Sequence, residues 1–416
     1  MNQAVIPVLI ILASYLLGAV PFGYLVARWR GLDILHAGSG NIGATNVGRV
    51  LGPRYGVLVF LLDFAKGAIP VLVAFWLATS TSTPETASWS RETLGVAAGL
   101  AALLGHLFPV YLRFHGGKGV ATGAGVVAML LPIPALAALI VWVSVFCATR
   151  YVSLASLTAA LALVAVRLEF TEGAFVPANR ILTIFSLVAM ALVFARHRSN
   201  IARLLNHQEN QFALTPRLLT LTKSVHVLSL GLWYGTAVFF LVATLLIFQT
   251  FELLGSSDVH RPAWLPVTED FDREKGTQLA GVAVAPLFDW YFPLQVACGF
   301  LALGTAASLL KAQPDRKVHR YRVILLTLAL ATALLGWPLA QYVGRLRLER
   351  YSFDLAMAGA AKALFGRWHL FSLLLNFVTL GLVIVAMALA GQLPNQESGI
   401  GNQESGIGNR RSGIGG

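Results

Sequence analysis

Long apolar runs cut by short, polar, glycine-dense stretches make up this chain; neither the strict alternation of half-buried strands nor the narrow stripe of surface helices dominates. With about 20 apolar residues as the length that crosses a bilayer, runs near 4–27, 54–78, 93–112, 119–131, 134–148, 152–168 and 180–195 predict seven membrane helices. Runs near 217–250, 279–310, 321–343 and 366–391 predict roughly four more. The two short runs around Pro132 and Pro134 can also be drawn as one broken helix, and a break at that depth is tolerated only where protein covers it.

Composition narrows the class. The chain is 56% hydrophobic and 12% charged, whereas soluble domains run at about 45–50% apolar and about 25% charged. It reads as an all-α integral membrane protein. The net charge of +12 needs no nucleic acid, because Lys and Arg gather in cytoplasmic loops beside anionic lipid. Cys147 and Cys298 both lie in apolar runs, so neither a disulfide nor a metal or redox motif is expected. The first run carries its positive charges, Arg28 and Arg30, behind it, the reverse of a cleavable signal peptide.

Charge placement then orients the first seven spans. With the N-terminus outside, the cytoplasmic loops hold Arg28, Arg30, Arg49, Arg54, Arg113, Lys118, Arg150, Arg196, Arg198 and Arg203, and the opposite loops hold Arg91, Arg167 and Arg180. Merging 119–148 into one span would put Arg196, Arg198 and Arg203 outside, so seven spans are preferred. Four polar stretches, 38–54, 106–122, 150–156 and 196–209, thereby share one face. In the second half, the loop with Lys311, Arg316, Lys317, Arg320 and Arg322 suits the cytoplasmic side, but residues 344–364 should face outward and yet hold Arg345, Arg347, Arg350 and Lys362.

The polar stretches carry the candidate chemistry. Gly116, Gly117 and Gly119 beside Lys118, just ahead of a new apolar helix, are the parts of an anion cradle. It is not a nucleotide-binding P-loop, since Gly119 follows the lysine where Ser or Thr would hold magnesium. Gly38-Ser-Gly-Asn-Ile-Gly43 matches a dinucleotide fingerprint literally, but a membrane helix and not a strand precedes it. In the same stretch Ser39, Asn41, Thr45, Asn46 and Arg49 offer hydroxyls, amides and a guanidinium able to grip phosphate in a bidentate manner. His106 and His115 flank the second loop as bases or as hydrogen-bonded structural groups. Asp63 and Lys66, three apart on one helix, suit a self-neutralising pair. His197 and Asn200 share one side of a basic segment that could instead rest on anionic lipid.

Three long motifs, Gly-Ser-Gly-Asn-Ile-Gly-Ala-Thr-Asn-Val-Gly-Arg (38–49), Gly-His-Leu-Phe-Pro-Val-Tyr-Leu-Arg-Phe-His-Gly-Gly-Lys-Gly-Val-Ala-Thr (105–122) and Arg-His-Arg-Ser-Asn-Ile-Ala-Arg-Leu-Leu (196–205), resemble in order those of the membrane glycerol-3-phosphate acyltransferases of the PlsY type. The resemblance covers roughly residues 1–212. It implies a seven-helix acyltransferase bundle in the cell (inner) membrane, an active site facing the cytoplasm, glycerol 3-phosphate and acyl phosphate as substrates, an acyl-phosphate-forming enzyme as supplier, and no cofactor or metal. By motif position His197, Asn200 and Ser39 are expected to be catalytic. Arg49, Lys118, Gly116, Gly117, Asn41 and Ser156 are expected to bind substrate, with Ser153 the alternative to Ser156. Glu209 is expected to support the site structurally. Where the family pattern has glycine, His207 stands, and His at a position wanting φ > 0 would be strained. His197 is the best side-chain base, with substrate phosphate the other proton acceptor. No histidine is followed by Asp five residues on, which argues against the His–Asp acyltransferases.

Residues 213–391 resemble more weakly the four-helix family typified by transmembrane protein 205, through Ser224–Gly235, Ala285–Phe288 and Phe365–Asn376. His226, Trp233, His369 and Asn376 lie in its helices as interhelical hydrogen-bonding groups or a haem or metal site. Residues 392–416 repeat Asn-Gln-Glu-Ser-Gly-Ile-Gly and are expected to be a disordered low-complexity tail. A transporter of a small anionic solute is the rival for the whole chain, given its span count and the buried Asp63 and Lys66, but no internal repeat relates the halves. The preferred organisation is an enzymatic first half with a scaffolding or regulatory second half.

Overall fold

A computed structural model describes residues 5–80, 89–256 and 271–391. The expected tail, 392–416, lies outside the described residues. The chain divides into two compact units, Met1–Ala213 and Leu214–Gly416. Among the described residues ten helices are long and apolar enough to cross a membrane, and an eleventh, Val120–Leu130, is apolar but shorter. The protein is an all-α, multi-pass membrane protein.

The first span is two helices, α1 (Val5–Ala19) and α2 (Phe22–Trp29), because Pro21 has no N–H to continue the ladder. At the break the Val20 carbonyl accepts from the Phe22 N–H at 3.1 Å and from the Lys66 ammonium at 2.7 Å. Lys66 in turn pairs with Asp63 at 2.9 Å, both side chains being essentially inaccessible. The sequence-expected ion pair therefore forms, and its lysine also ties α4 to the break in the first span.

A short α3 (Ala44–Leu51) precedes α4 (Pro53–Ser80), and α5 (Arg91–Leu107) starts at Ser90, whose hydroxyl caps the Thr93 N–H at 3.1 Å. The runs around Pro132 form two helices, α6 (Val120–Leu130) and α7 (Pro132–Thr149). The break falls at Leu131, which is 3% exposed and therefore covered by protein. Between α4 and α6, Gly67 faces the Thr122 carbonyl and Gly125 the Phe64 carbonyl so closely that any Cβ would collide. That contact fixes the start of α6, and with it the lysine loop. Next come α8 (Val152–Glu169), α9 (Pro177–Arg196) and α10 (Arg198–Leu205).

The second unit contains α11 (Pro216–Leu254), α12 (Arg273–Ala312), α13 (Lys317–Glu349) and α14 (Leu355–Ala390) around an apolar core that includes Trp233, Leu326 and Val383. At 1.5 Å per residue α11 is about 58 Å long, well beyond the ~30 Å of hydrocarbon. Arg347, one of the charges at odds with the orientation count, belongs to α13 and is buried, donating to the Gly281 carbonyl at 2.9 Å. The four polar residues singled out in these helices do not form one cluster. Asn376 accepts from the Tyr291 hydroxyl, His369 stacks on Phe365, Trp233 joins the core, and His226 faces Thr305 and Arg322. Among the described residues no group of His, Cys, Asp or Glu is suited to a metal ion.

Candidate active site

Helix α10 ends in a tight reversal. The Gln208 N–H bonds the Arg203 carbonyl at 2.7 Å and the His207 N–H bonds the Leu204 carbonyl at 3.2 Å, the paired closure of a Schellman motif. His207 takes φ 56°, the left-handed conformation that glycine occupies most easily. The reversal turns Glu209 back onto its own helix. There Oε1 accepts from the Asn200 amide and the Ser153 hydroxyl, each at 2.7 Å, and Oε2 accepts from the Arg203 Nε at 2.8 Å. Burial alone would raise the Glu209 pKa, but these hydrogen bonds outweigh it and hold the carboxyl below its ordinary value.

With its amide committed to Glu209, Asn200 presents its carbonyl oxygen to Lys118, which donates to it at 2.7 Å. The order is thus Lys118, Asn200, Glu209, with Ser153 and Arg203 bracing the last. Burial lowers the Lys118 pKa to about 8; the Glu209 charge opposes that shift, and the charges of Arg203, Arg49 and Arg196 add to it. His197 is 2% exposed. Its Nδ1 lies 2.8 Å from the Val193 carbonyl, which can only accept, so Nδ1 carries the proton and Nε2 is left as an acceptor. Burial drives the His197 pKa down to about 4.

The glycine loop is shaped by close packing more than by unusual dihedrals. Only Gly119 has positive φ, at 80°. A Cβ on Gly116 would strike the His106 and Leu107 carbonyls, and one on Gly117 the His106 ring. The Gly117 N–H donates to the His106 carbonyl at 3.2 Å. Among the described residues the N–H groups of Gly116, Lys118 and Gly119 have no internal acceptor, and these are the donors left to the cradle. Arg196 donates to the carbonyls of Gly116 at 3.1 Å and Gly117 at 2.8 Å, turning those oxygens away from any anion. Arg113 and Phe114, both at positive φ, complete the tight approach to this loop.

In the first loop the organiser is Asn46, 2% exposed. Its oxygen accepts from the Ser39 N–H at 2.8 Å, and its amide donates to the carbonyls of Ala37 at 3.0 Å and Asn41 at 2.9 Å. Asn41 uses its side-chain oxygen on the Gly43 N–H, ahead of α3, and Ser39 itself is exposed. Arg49, at the end of α3, donates to the Asn210 carbonyl at 3.1 Å and lies 5.1 Å over the Phe212 ring, next to Glu209 along the chain. A cleft of about 440 Å³ opens between the two loops, with Gly40, Ile42, Phe114, Gly116 and Arg196 in its walls.

Of the sequence-selected residues, Lys118, Asn200 and Glu209 are bonded in one chain, and Arg49 and His197 act electrostatically on or with that chain. Ser156 bonds the Val152 carbonyl and the Trp142 indole, while Ser153 is the serine that reaches Glu209. Sequence reasoning does not single out Arg196 or Arg203 as site residues, and it takes Asn46 as a phosphate-facing amide, whereas Asn46 organises the first loop. Their roles depend on partners in the fold, although Asn46 stood in the first motif and both arginines in the third.

The family model for glycerol-3-phosphate acyltransferase matches residues 8–207. The glycerol-3-phosphate acyltransferase of Aquifex aeolicus is 43% identical over 210 residues, 49% of this chain and 97% of that protein. That of Myxococcus xanthus is 45% identical over 204 residues, 49% of this chain and 98% of that protein. The chain belongs to the glycerol-3-phosphate acyltransferase family. A crystal structure of PlsY, an integral membrane glycerol 3-phosphate acyltransferase, in its glycerol 3-phosphate form is 42% identical, covers 50% of this chain and 96% of that one, and has a TM-score of 0.44. The match of this acyltransferase to its relatives lies in the first unit, and membership of an enzyme family sets the transporter alternative aside.

Proposed function

We propose that residues 1–212 transfer a fatty acyl group from acyl phosphate to the sn-1 hydroxyl of glycerol 3-phosphate, giving lysophosphatidic acid and inorganic phosphate. The observation that carries the assignment is the Lys118–Asn200–Glu209 chain, which holds an ammonium beside N–H groups that have no internal acceptor. Lys118 and Arg49 neutralise the phosphates of acceptor and donor, and the glycine-loop N–H groups add hydrogen bonds to one of them. The hydroxyl oxygen attacks the acyl carbon, the bond from that carbon to the phosphate oxygen breaks, and phosphate leaves with the bonding pair. Positioning and charge stabilisation suffice because phosphate is a good leaving group.

The proton requires a base. Burial holds the His197 pKa down to about 4, which makes its imidazole a weak base at neutral pH. A phosphate monoester, with its second pKa near 6, is the better acceptor. We therefore assign the proton to the phosphate of glycerol 3-phosphate and give His197 the role of orienting the hydroxyl through Nε2. The positive charge of these loops supports a cytoplasmic face of the inner membrane for this chemistry, where an acyl-phosphate-forming enzyme would supply the donor. Residues 213–391 are a separate membrane unit, and their removal should leave acyl transfer intact.

The test supplies acyl phosphate and glycerol 3-phosphate to the purified protein and measures lysophosphatidic acid, with Lys118→Ala and Arg49→Ala alongside. Turnover in the parent and its loss in both variants is expected. Unchanged turnover in both variants would overturn the site.

A further inference from the structure

Among the described residues of the second unit, one buried cation has no counter-charge. Arg322, in the second turn of α13, is 0% exposed, and a guanidinium stays ionised in proteins. None of the ion pairs among the described residues includes it, and its Nε has no acceptor. Its remaining contacts are to two imidazoles: NH1 to His319 Nδ1 at 3.4 Å, and NH2 to His226 Nε2 on α11. Each ring is fixed by its other nitrogen. His226 Nδ1 donates to Thr305 Oγ1 at 2.8 Å, with the Ala302 carbonyl at 3.2 Å, and His319 Nε2 donates to Gln313 Oε1 at 3.1 Å. Both rings are therefore neutral acceptors, which solvate the guanidinium without cancelling its charge. Arg316 and Lys223 bring further positive charge to bear on His319 from the same end of the bundle.

An unpaired buried charge is costly, and structures retain one where something neutralises it. We propose that Arg322, His226 and His319 form an anion site at the basic end of the four-helix unit, and that the anion is a phosphate group. Arg322 with Arg316 and Lys223 amounts to more than one positive charge, which favours a dianion over a carboxylate or a halide. The guanidinium edge provides the bidentate contact that phosphate accepts. On binding, the two imidazoles exchange Arg322 for the anion by turning or protonating, so that acceptors become donors. Inorganic phosphate and a phosphate-headed lipid share this chemistry.

The experiment uses the full chain carrying Lys118→Ala, so that the proposed catalytic phosphate pocket does not contribute and failure of one site is separable from failure of the other. Thermal unfolding of this parent and of its Arg322→Met derivative is followed in sodium chloride, in inorganic phosphate of equal ionic strength, and in nanodiscs with or without phosphatidic acid. In chloride the Arg322→Met protein should unfold at the same or a higher temperature, because a buried charge has been exchanged for a methylene chain. Phosphate should raise the parent's unfolding temperature and leave that of Arg322→Met where it was. If phosphatidic acid alone produces the shift, the source is a lipid headgroup; if inorganic phosphate does, it is soluble. A shift of equal size in both proteins, no shift of the parent with either probe, or a lower unfolding temperature for Arg322→Met in chloride would overturn the site. Should Arg322→Met not fold, binding of labelled phosphate and of labelled phosphatidic acid to the parent and to His319→Phe decides: tenfold weaker binding of one of the two probes to the variant is expected, and absent or equal binding of both refutes.

Discussion

Replacing Glu209 by Gln tests the central chain, because it removes a charge while keeping the shape. If the new amide oxygen keeps its bonds to Asn200 and Ser153, its NH2 must face the Arg203 Nε–H, donor against donor. Loss of that charge-assisted bond costs about 1.5–3 kcal/mol of stability. The larger consequence is electrostatic. The Lys118 pKa already lies below its ordinary value, at about 8, and Glu209 is the charge that keeps it from falling further. Activity that needs the ammonium is therefore full below that pKa and lost as pH rises through it, and Glu209→Gln should move the loss to lower pH. A fall of one unit, about 1.4 kcal/mol, would take the protonated fraction at pH 8 from about one half to about one eleventh. At pH 6 both proteins would remain almost fully protonated. The assay is kcat/KM for glycerol 3-phosphate across pH, which reports ionisations of the free enzyme. The expected result is about a fivefold defect at pH 8 that nearly disappears at pH 6. A defect of equal size at both pH values would refute the reasoning and reduce Glu209 to a structural brace.

Further outcomes follow from neighbouring groups. His197→Gln should lower kcat by about tenfold, and a loss in the 10²–10⁴ range expected for a general base would return the proton to His197. His207→Gly should raise stability by about 1 kcal/mol by relieving left-handed strain at φ 56°, read as a higher unfolding temperature with activity retained; a lower temperature would contradict the strain argument. Asp63→Asn should cost about 3–5 kcal/mol, because it leaves the Lys66 ammonium buried without its carboxylate. The double change Asp63→Leu with Lys66→Met should recover most of that loss in a thermal melt; failure to recover would mean that the pair does more than neutralise itself.

Much of the helical architecture is legible along the chain, because a bilayer imposes a length and a polarity on each segment independently of the others. The apolar runs predicted the spans, and the proline pair around 132 marked a break. The bond from Lys66 to the Val20 carbonyl at the Pro21 break is not legible there, since it joins residues 46 apart. The family was likewise readable, from three motifs in order.

Glycine density was a weaker guide to cause. It suggested turns, whereas Gly116 and Gly117 are small because His106 and its neighbours press against them.

What the sequence by itself determined is the set of residue types delivered to the membrane edge: glycines, a lysine, arginines, amides and one glutamate. What only the tertiary structure decided is who holds whom. Lys118 and Asn200 meet across 82 residues, and Glu209 reaches Asn200 only because the chain reverses at His207. Arg196, which reads only as one charge of a basic segment, is bound to two glycine carbonyls. The physical reason is that burial in an apolar medium is a property of each segment, whereas a hydrogen bond belongs to a pair. Periodicity and composition record the first, and only the packed bundle brings the two partners together.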